Sequence, residues 1–116
     1  MDALQGRQAW TRARGLATAT YQAMADCPDP VFREQVTRAS LALAASIAAG
    51  YEGRARPQFA RSLHVARSIC AELRTKLYVA ADVGLVEGDA AQRLIAGLVE
   101  LSQMLQTLIH RCEKRF

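Results

Sequence analysis

Lysine is nearly absent from this chain: of its fifteen cationic residues only Lys76 and Lys114 are lysines, and the other thirteen are arginines. Proline occurs three times, aromatic residues make up 6%, and the β-branched residues are scattered rather than clustered. That composition disfavours sheet and favours helix. The three cysteines, Cys27, Cys70 and Cys112, are odd in number, far apart and never in a C-x-x-C arrangement. A disulfide framework and a structural zinc site are therefore not predicted, and a reduced, cytoplasmic setting is. The longest apolar run, Leu41 to Ala49 broken by Ser46, falls far short of the roughly 20 residues that span a bilayer. The first residues, Met1 to Arg7, lack the apolar core of a signal peptide. A soluble protein without a membrane partner is expected.

Catalytic patterns are just as sparse. The two histidines, His64 and His110, fall in different segments, and neither sits in the Glu-x-x-His pattern that builds di-metal sites in helical bundles. No G-x-x-x-x-G-K-[ST] or G-x-G-x-x-G phosphate loop is present. Ser40, Ser46, Ser62 and Ser68 have no nucleophile-elbow context, and no Cys/His pairing is indicated by spacing. The sequence predicts no enzyme activity, no catalytic residue, no cofactor and no metal.

What the chain does have is helical periodicity. At 116 residues and 51% apolar content it suffices for one domain, residues 1–116, around one core. Four segments read as helices. The first, with Asp2 as candidate cap, carries Trp10, Ala13, Ala17, Tyr21 and Met24 on one face and stops at Cys27-Pro28. Asp29 followed by Pro30 makes a cap and first-turn pair for the second. That helix repeats Phe32, Val36, Ala39, Leu43, Ser46 and Gly50 at steps of four and three, the seam of a nearly antiparallel neighbour. Gly50 and Gly53 supply a stop, and Pro57 suits the first turn of the third helix.

The third helix runs through Phe59, Leu63, Ala66, Cys70, Leu73, Leu77 and Ala80 and ends near Gly84. The fourth, after Gly88 with Asp89 as cap, runs through Leu94, Leu98, Leu101, Leu105, Leu108 and Cys112, flanked by Ile95, Val99 and Ile109. Four helices of roughly 22 to 26 residues with short links predict an all-α fold, an antiparallel up-down-up-down four-helix bundle.

That topology sorts the charges. One end collects Arg7, Arg54, Arg56, Arg61, Arg111, Lys114 and Arg115 against Asp2, Glu52 and Glu113, a net +4. The other collects Asp26, Asp29, Glu34, Asp82, Glu87 and Asp89 against Arg33 and Arg93, a net −4. The middle holds Arg12, Arg14, Arg38, Arg67, Arg74 and Lys76 against Glu72 and Glu100. The guanidinium fork suits phosphate, so the seven cations of the basic end are the candidate nucleic-acid-binding residues.

The segment Arg38-Ala39-Ser40-Leu41-Ala42-Leu43-Ala44-Ala45-Ser46-Ile47-Ala48-Ala49-Gly50 resembles the pattern R-A-x-x-S-I-x-x-N-I-A-E-G. That pattern marks a bacterial four-helix-bundle family first described from open reading frames in 23S rRNA intervening sequences (S23-like). The family includes the accessory variability determinant (Avd) proteins of diversity-generating retroelements. The likeness continues through Phe59, Leu63, Ala66, Glu72-Leu73, Leu77, Ala80 and Gly84-Leu85. Ser46 stands where the family usually has Asn, Ala49 where it has Glu, Ala42 where it has Ser, and Ile69 where Ser is common. The corner between helices two and three is therefore expected to be held by packing, or by Glu52 and Glu72.

The resemblance implies a homo-oligomer, in relatives a ring of five bundles, with a basic surface for RNA or DNA. In the retroelement branch it implies a reverse transcriptase as partner. A cyclic ring would gather the basic ends on one face. Two function classes stay open: an oligomeric nucleic-acid-binding bundle, acting in a ribonucleoprotein or as an Avd-like reverse-transcriptase accessory, and a protein-protein adaptor that binds no nucleic acid.

Overall fold

The computed structural model describes residues 3–52 and 56–114, and these form four helices: α1 (Ala3–Ala23), α2 (Pro30–Glu52), α3 (Arg56–Asp82) and α4 (Gly88–Lys114). Each helix packs on two neighbours, α1 on α2 and α4, and α3 on α2 and α4, with no packing across either diagonal among the described residues. The result is a square, antiparallel four-helix bundle 47 Å long and 19 Å across. No strand occurs among the described residues.

Local chemistry sets the helix ends. The Asp29 carboxylate accepts the Phe32 N–H at 3.0 Å while its carbonyl accepts from Arg33 at 2.9 Å, so Asp29 caps α2 with Pro30 just inside. At the end of α3 the chain turns on Gly84, whose φ of +78° is open to glycine at no steric cost. The Leu85 N–H donates to the Ala80 carbonyl at 2.8 Å and the Gly84 N–H to Ala81 at 3.2 Å, the paired bonds of a Schellman stop. The start of α4 departs from expectation. The Glu87 carbonyl accepts the first helical bond, from Ala91 at 3.0 Å, so Glu87 is the cap and Asp89 lies inside the first turn, where its charge favours the helix dipole. The candidate cap Asp2 lies outside the described residues.

Every seam position predicted for α3 is buried, and so are all six predicted for α4, together with Ile95 and Ile109. The slimmer helices are rotated from the predicted register. In α2 the buried line is Val36, Ser40, Leu43, Ile47 and Gly50, with Thr37 and Ala44 beside it, while Phe32, Ala39 and Ser46 are half-buried. In α1 it is Ala9, Ala13, Ala17 and Thr20, continued by Met24 just past the helix end; Trp10 is half-buried and Tyr21 faces outward. The buried hydroxyls cost little, because each bonds a carbonyl of its own helix: Thr20 to Leu16 at 2.7 Å, Thr37 to Arg33 at 2.9 Å, Ser40 to Thr37 at 2.7 Å.

The α2–α3 corner is held by packing. Gly50 is not a helix stop: it is buried and helical, and α2 continues to Glu52. A Cβ at Gly50 would lie 2.6 Å from the Ser62 Cβ and 3.1 Å from the Phe59 ring, so the missing side chain lets α2 and α3 approach. Gly53 lies outside the described residues. Glu72 takes no part in the corner; it pairs with Lys76 at 2.8 Å, well along α3. Ser46 bonds the Ala42 carbonyl of its own helix at 2.8 Å.

Candidate nucleic-acid interface

Helix direction alone brings the first turns of α1, the last turns of α2, the start of α3 and the end of α4 to one pole. Side-chain contacts close it. Arg111 of α4 donates to the Gln5 side chain of α1. His64 of α3 meets Glu113 of α4 at 2.9 Å, and Tyr51 of α2 packs over Gly6 of α1. Of the seven candidate cations, Arg7, Arg61 and Arg111 are exposed at this pole. Arg56 opens α3 and Lys114 ends α4, which places their backbones there, and their side chains lie outside the described set. Arg54 and Arg115 also lie outside the described residues.

The pole is not uniformly open. Glu113 is engaged by His64, which leaves Glu52 as its exposed carboxylate without a partner among the described residues. Arg7 and Arg61 make no ion pair among the described residues. Arg7 also lines a cleft of about 480 Å³ between α1 and α2, whose other walls are Trp10, Thr11, Ala48, Tyr51 and Glu52. An arginine beside two aromatic rings is a combination that accepts phosphate and a stacked base together.

The opposite pole carries Asp26, Asp29, Glu34, Asp82, Glu87 and Asp89, all exposed, against Arg33 and Arg93. Arg33 is half-buried and bonds the Cys27 carbonyl at 3.3 Å. Glu34 pairs with Arg38 at 2.5 Å one turn on. Negative charge at this pole is thus partly capping and partly unspent.

Between the poles, both carboxylates are taken up by pairing, and the cationic excess expected from the sequence stays with the other side chains. Arg12 meets Glu100 across α1 and α4 at 2.5 Å, and Lys76 meets Glu72. Arg14 lies over the Trp10 ring, 5.6 Å from its centroid. Arg67 and Arg74 remain without an ion-pair or hydrogen-bond partner among the described residues, and the Nε of each is buried with no acceptor. The sequence carries the signal for this: neither has an acid three or four residues away on its helix, whereas Arg38 and Lys76 do.

Cys70 sits between these two arginines in sequence and is fully buried. Burial pushes its thiol up to about 11, and the positive charges of Arg74 and Arg67 only partly oppose that rise. A thiol held protonated at neutral pH is no nucleophile. Among the described residues, no three His, Cys, Asp or Glu side chains gather in a way that could hold a metal ion. No described helix is long and apolar enough to cross a membrane.

With this geometry in place, the comparison with protein families is specific. The family model for 23S rRNA-intervening sequence proteins matches residues 6–107, nearly the whole bundle. No curated protein matches the chain significantly.

Proposed function

The chain belongs to the 23S rRNA-intervening sequence protein family, and from that membership and the placement of its charges we propose a non-enzymatic, oligomeric bundle that binds RNA or DNA through its Arg-rich pole. The observation that carries this reading is the separation of charge along the bundle. The acidic excess stands at one pole, and Arg7, Arg61 and Arg111 stand exposed at the other. Arginine forks at such a pole hold phosphates by charge-assisted bonds without reading base edges. The role is that of a scaffold in a ribonucleoprotein, or of an accessory to a reverse transcriptase as in the Avd branch.

Exposed apolar side chains support the oligomer. Val31 and Leu41 of α2 and Val65, Tyr78, Val79 and Val83 in and just after α3 are each about half exposed or more. Large apolar groups facing water on adjacent helices suit burial against another protein surface. By resemblance the assembly is a homopentamer. Light scattering should show an oligomer at micromolar concentration, and a monomer would remove it. The same side chains favour the second reading, an adaptor that docks a protein partner and ignores nucleic acid.

Titration with structured RNA and duplex DNA at low and moderate salt separates the two. The proposal expects binding of both at low salt and a loss of at least about tenfold in affinity for the combined Arg54→Ala, Arg56→Ala and Arg61→Ala variant. Absence of binding at low salt, or indifference to the triple substitution, leaves the adaptor.

A further inference from the structure

Away from the basic pole, α3 and α4 enclose an open groove of about 450 Å³ at the middle of the bundle. Arg67 and Arg74 form its α3 wall; Val99, Ser102, Gln103, Gln106 and Thr107 line the α4 wall, and no carboxylate lines either. We propose that this groove is a second, separate binding site for phosphate groups, taking the backbone of a single nucleic-acid strand.

Three observations carry the assignment. First, pairing is selective. Arg12, Arg38 and Lys76 each have a carboxylate partner, while the two groove arginines have none among the described residues. Second, the Nε of each is buried without an acceptor, so neither guanidinium is tied to a protein group among the described residues. Third, apart from Val99 the opposite wall presents amide and hydroxyl groups, neutral donors that complement an anion without neutralising the arginines.

Spacing selects the ligand. Positions 67 and 74 are seven residues apart on one helix, so they share a face and stand about 10.5 Å apart along the axis at 1.5 Å per residue. With the stems half-buried, the two guanidiniums address two anionic groups rather than one. A strand of linked phosphates supplies such a pair; a lone phosphate would engage one arginine at a time. Side-chain amides and hydroxyls beside them are the usual complement of sugar and phosphate oxygens.

The test follows the arginine Nε–Hε NMR signals of the whole protein during titration with single-stranded polythymidylate, with inorganic phosphate and with sodium chloride at matched ionic strength. The proposal expects the Arg67 and Arg74 signals to move together with the oligonucleotide and to stay unmoved by chloride. It also expects Arg67→Gln with Arg74→Gln to weaken oligonucleotide binding by at least about tenfold and to lower the log-log salt slope by about 1.4, as two single-strand phosphates go unneutralised. The pole variant Arg7→Ala with Arg61→Ala should leave the groove signals responsive, so failure at the pole and failure in the groove are read separately. Unmoved groove signals, or a groove variant with unchanged affinity and slope, would overturn the site. A response to inorganic phosphate alone would overturn the strand as its occupant.

Discussion

The two halves of the bundle are built from different material. On the α1–α2 side small residues, Gly6, Ala9, Ala13, Ala17, Ala44 and Gly50, share the buried line with a few large ones, Met24, Val36, Leu43 and Ile47; on the α3–α4 side leucines dominate it, Leu63, Leu73, Leu77, Leu98, Leu101 and Leu105. Small residues bury little apolar area and work by letting backbones come close; leucines bury much area and hold helices further apart. The first half is sensitive to atoms added at its close helix contacts and the second to atoms removed from its core. The phosphate groove lies on the leucine side, the side whose stability rests on ordinary core packing.

Truncation on the leucine side should give the largest effect. Leu101 is fully buried in α4, and Leu101→Ala is expected to cost about 2–5 kcal/mol of unfolding free energy in urea titration. A loss under about 1 kcal/mol would mean that this seam is no stronger than the alanine side.

Next comes Cys70, on the same side. Its thiol is raised from 9.0 in the unfolded chain to about 11 in the fold, so its contribution is fully present below pH 9 and lost as pH rises toward 11. The loss is about 2–3 kcal/mol at the far end. Cys70→Ala should therefore show a flatter stability profile than the parent between pH 8 and 11. Parallel profiles would show that burial does not hold this thiol protonated.

Addition on the small-residue side should follow. At Gly50 a new Cβ meets the Ser62 Cβ at 2.6 Å, an atom fixed to its own backbone, so Gly50→Ala should destabilise by about 1–3 kcal/mol. Gly15, on the same half, has nothing within 4 Å of an added Cβ. Gly15→Ala should stabilise by about 0.5–1 kcal/mol through helix propensity alone. Equal effects of the two substitutions would break the distinction between close approach and open surface.

The same contrast explains what was legible in the sequence. On α3 and α4 large apolar residues recur at one clear phase, and each predicted seam position is buried. On α2, Ala39, Ala42, Ala44, Ala45, Ala48 and Ala49 surround the helix, so several phases look equally apolar and the true one, through Ser40 and Ile47, is hidden. Gly50 reads equally well as a stop or as a contact, and only the position of Ser62 on α3 decides between them. In the candidate sites, pairs within one helix such as Glu34 with Arg38 are visible from spacing. Arg12 with Glu100 is a pair between helices that spacing cannot show, and with Arg12 so engaged and Arg14 over Trp10, Arg67 and Arg74 are the mid-bundle cations left without a partner among the described residues.

The polarity of the bundle is the claim on which the functional account rests, and one titration addresses it: the slope of log affinity for RNA against log salt, taken for the parent, for a basic-pole variant (Arg7→Ala, Arg54→Ala, Arg56→Ala, Arg61→Ala) and for an acidic-pole variant (Asp26→Asn, Asp82→Asn, Glu87→Gln). The account predicts a shallower slope and weaker binding for the first variant, by roughly 0.7–0.9 in slope for each phosphate that is no longer neutralised, and an unchanged slope for the second. Three indistinguishable slopes, or no binding by the parent at low salt, would contradict it.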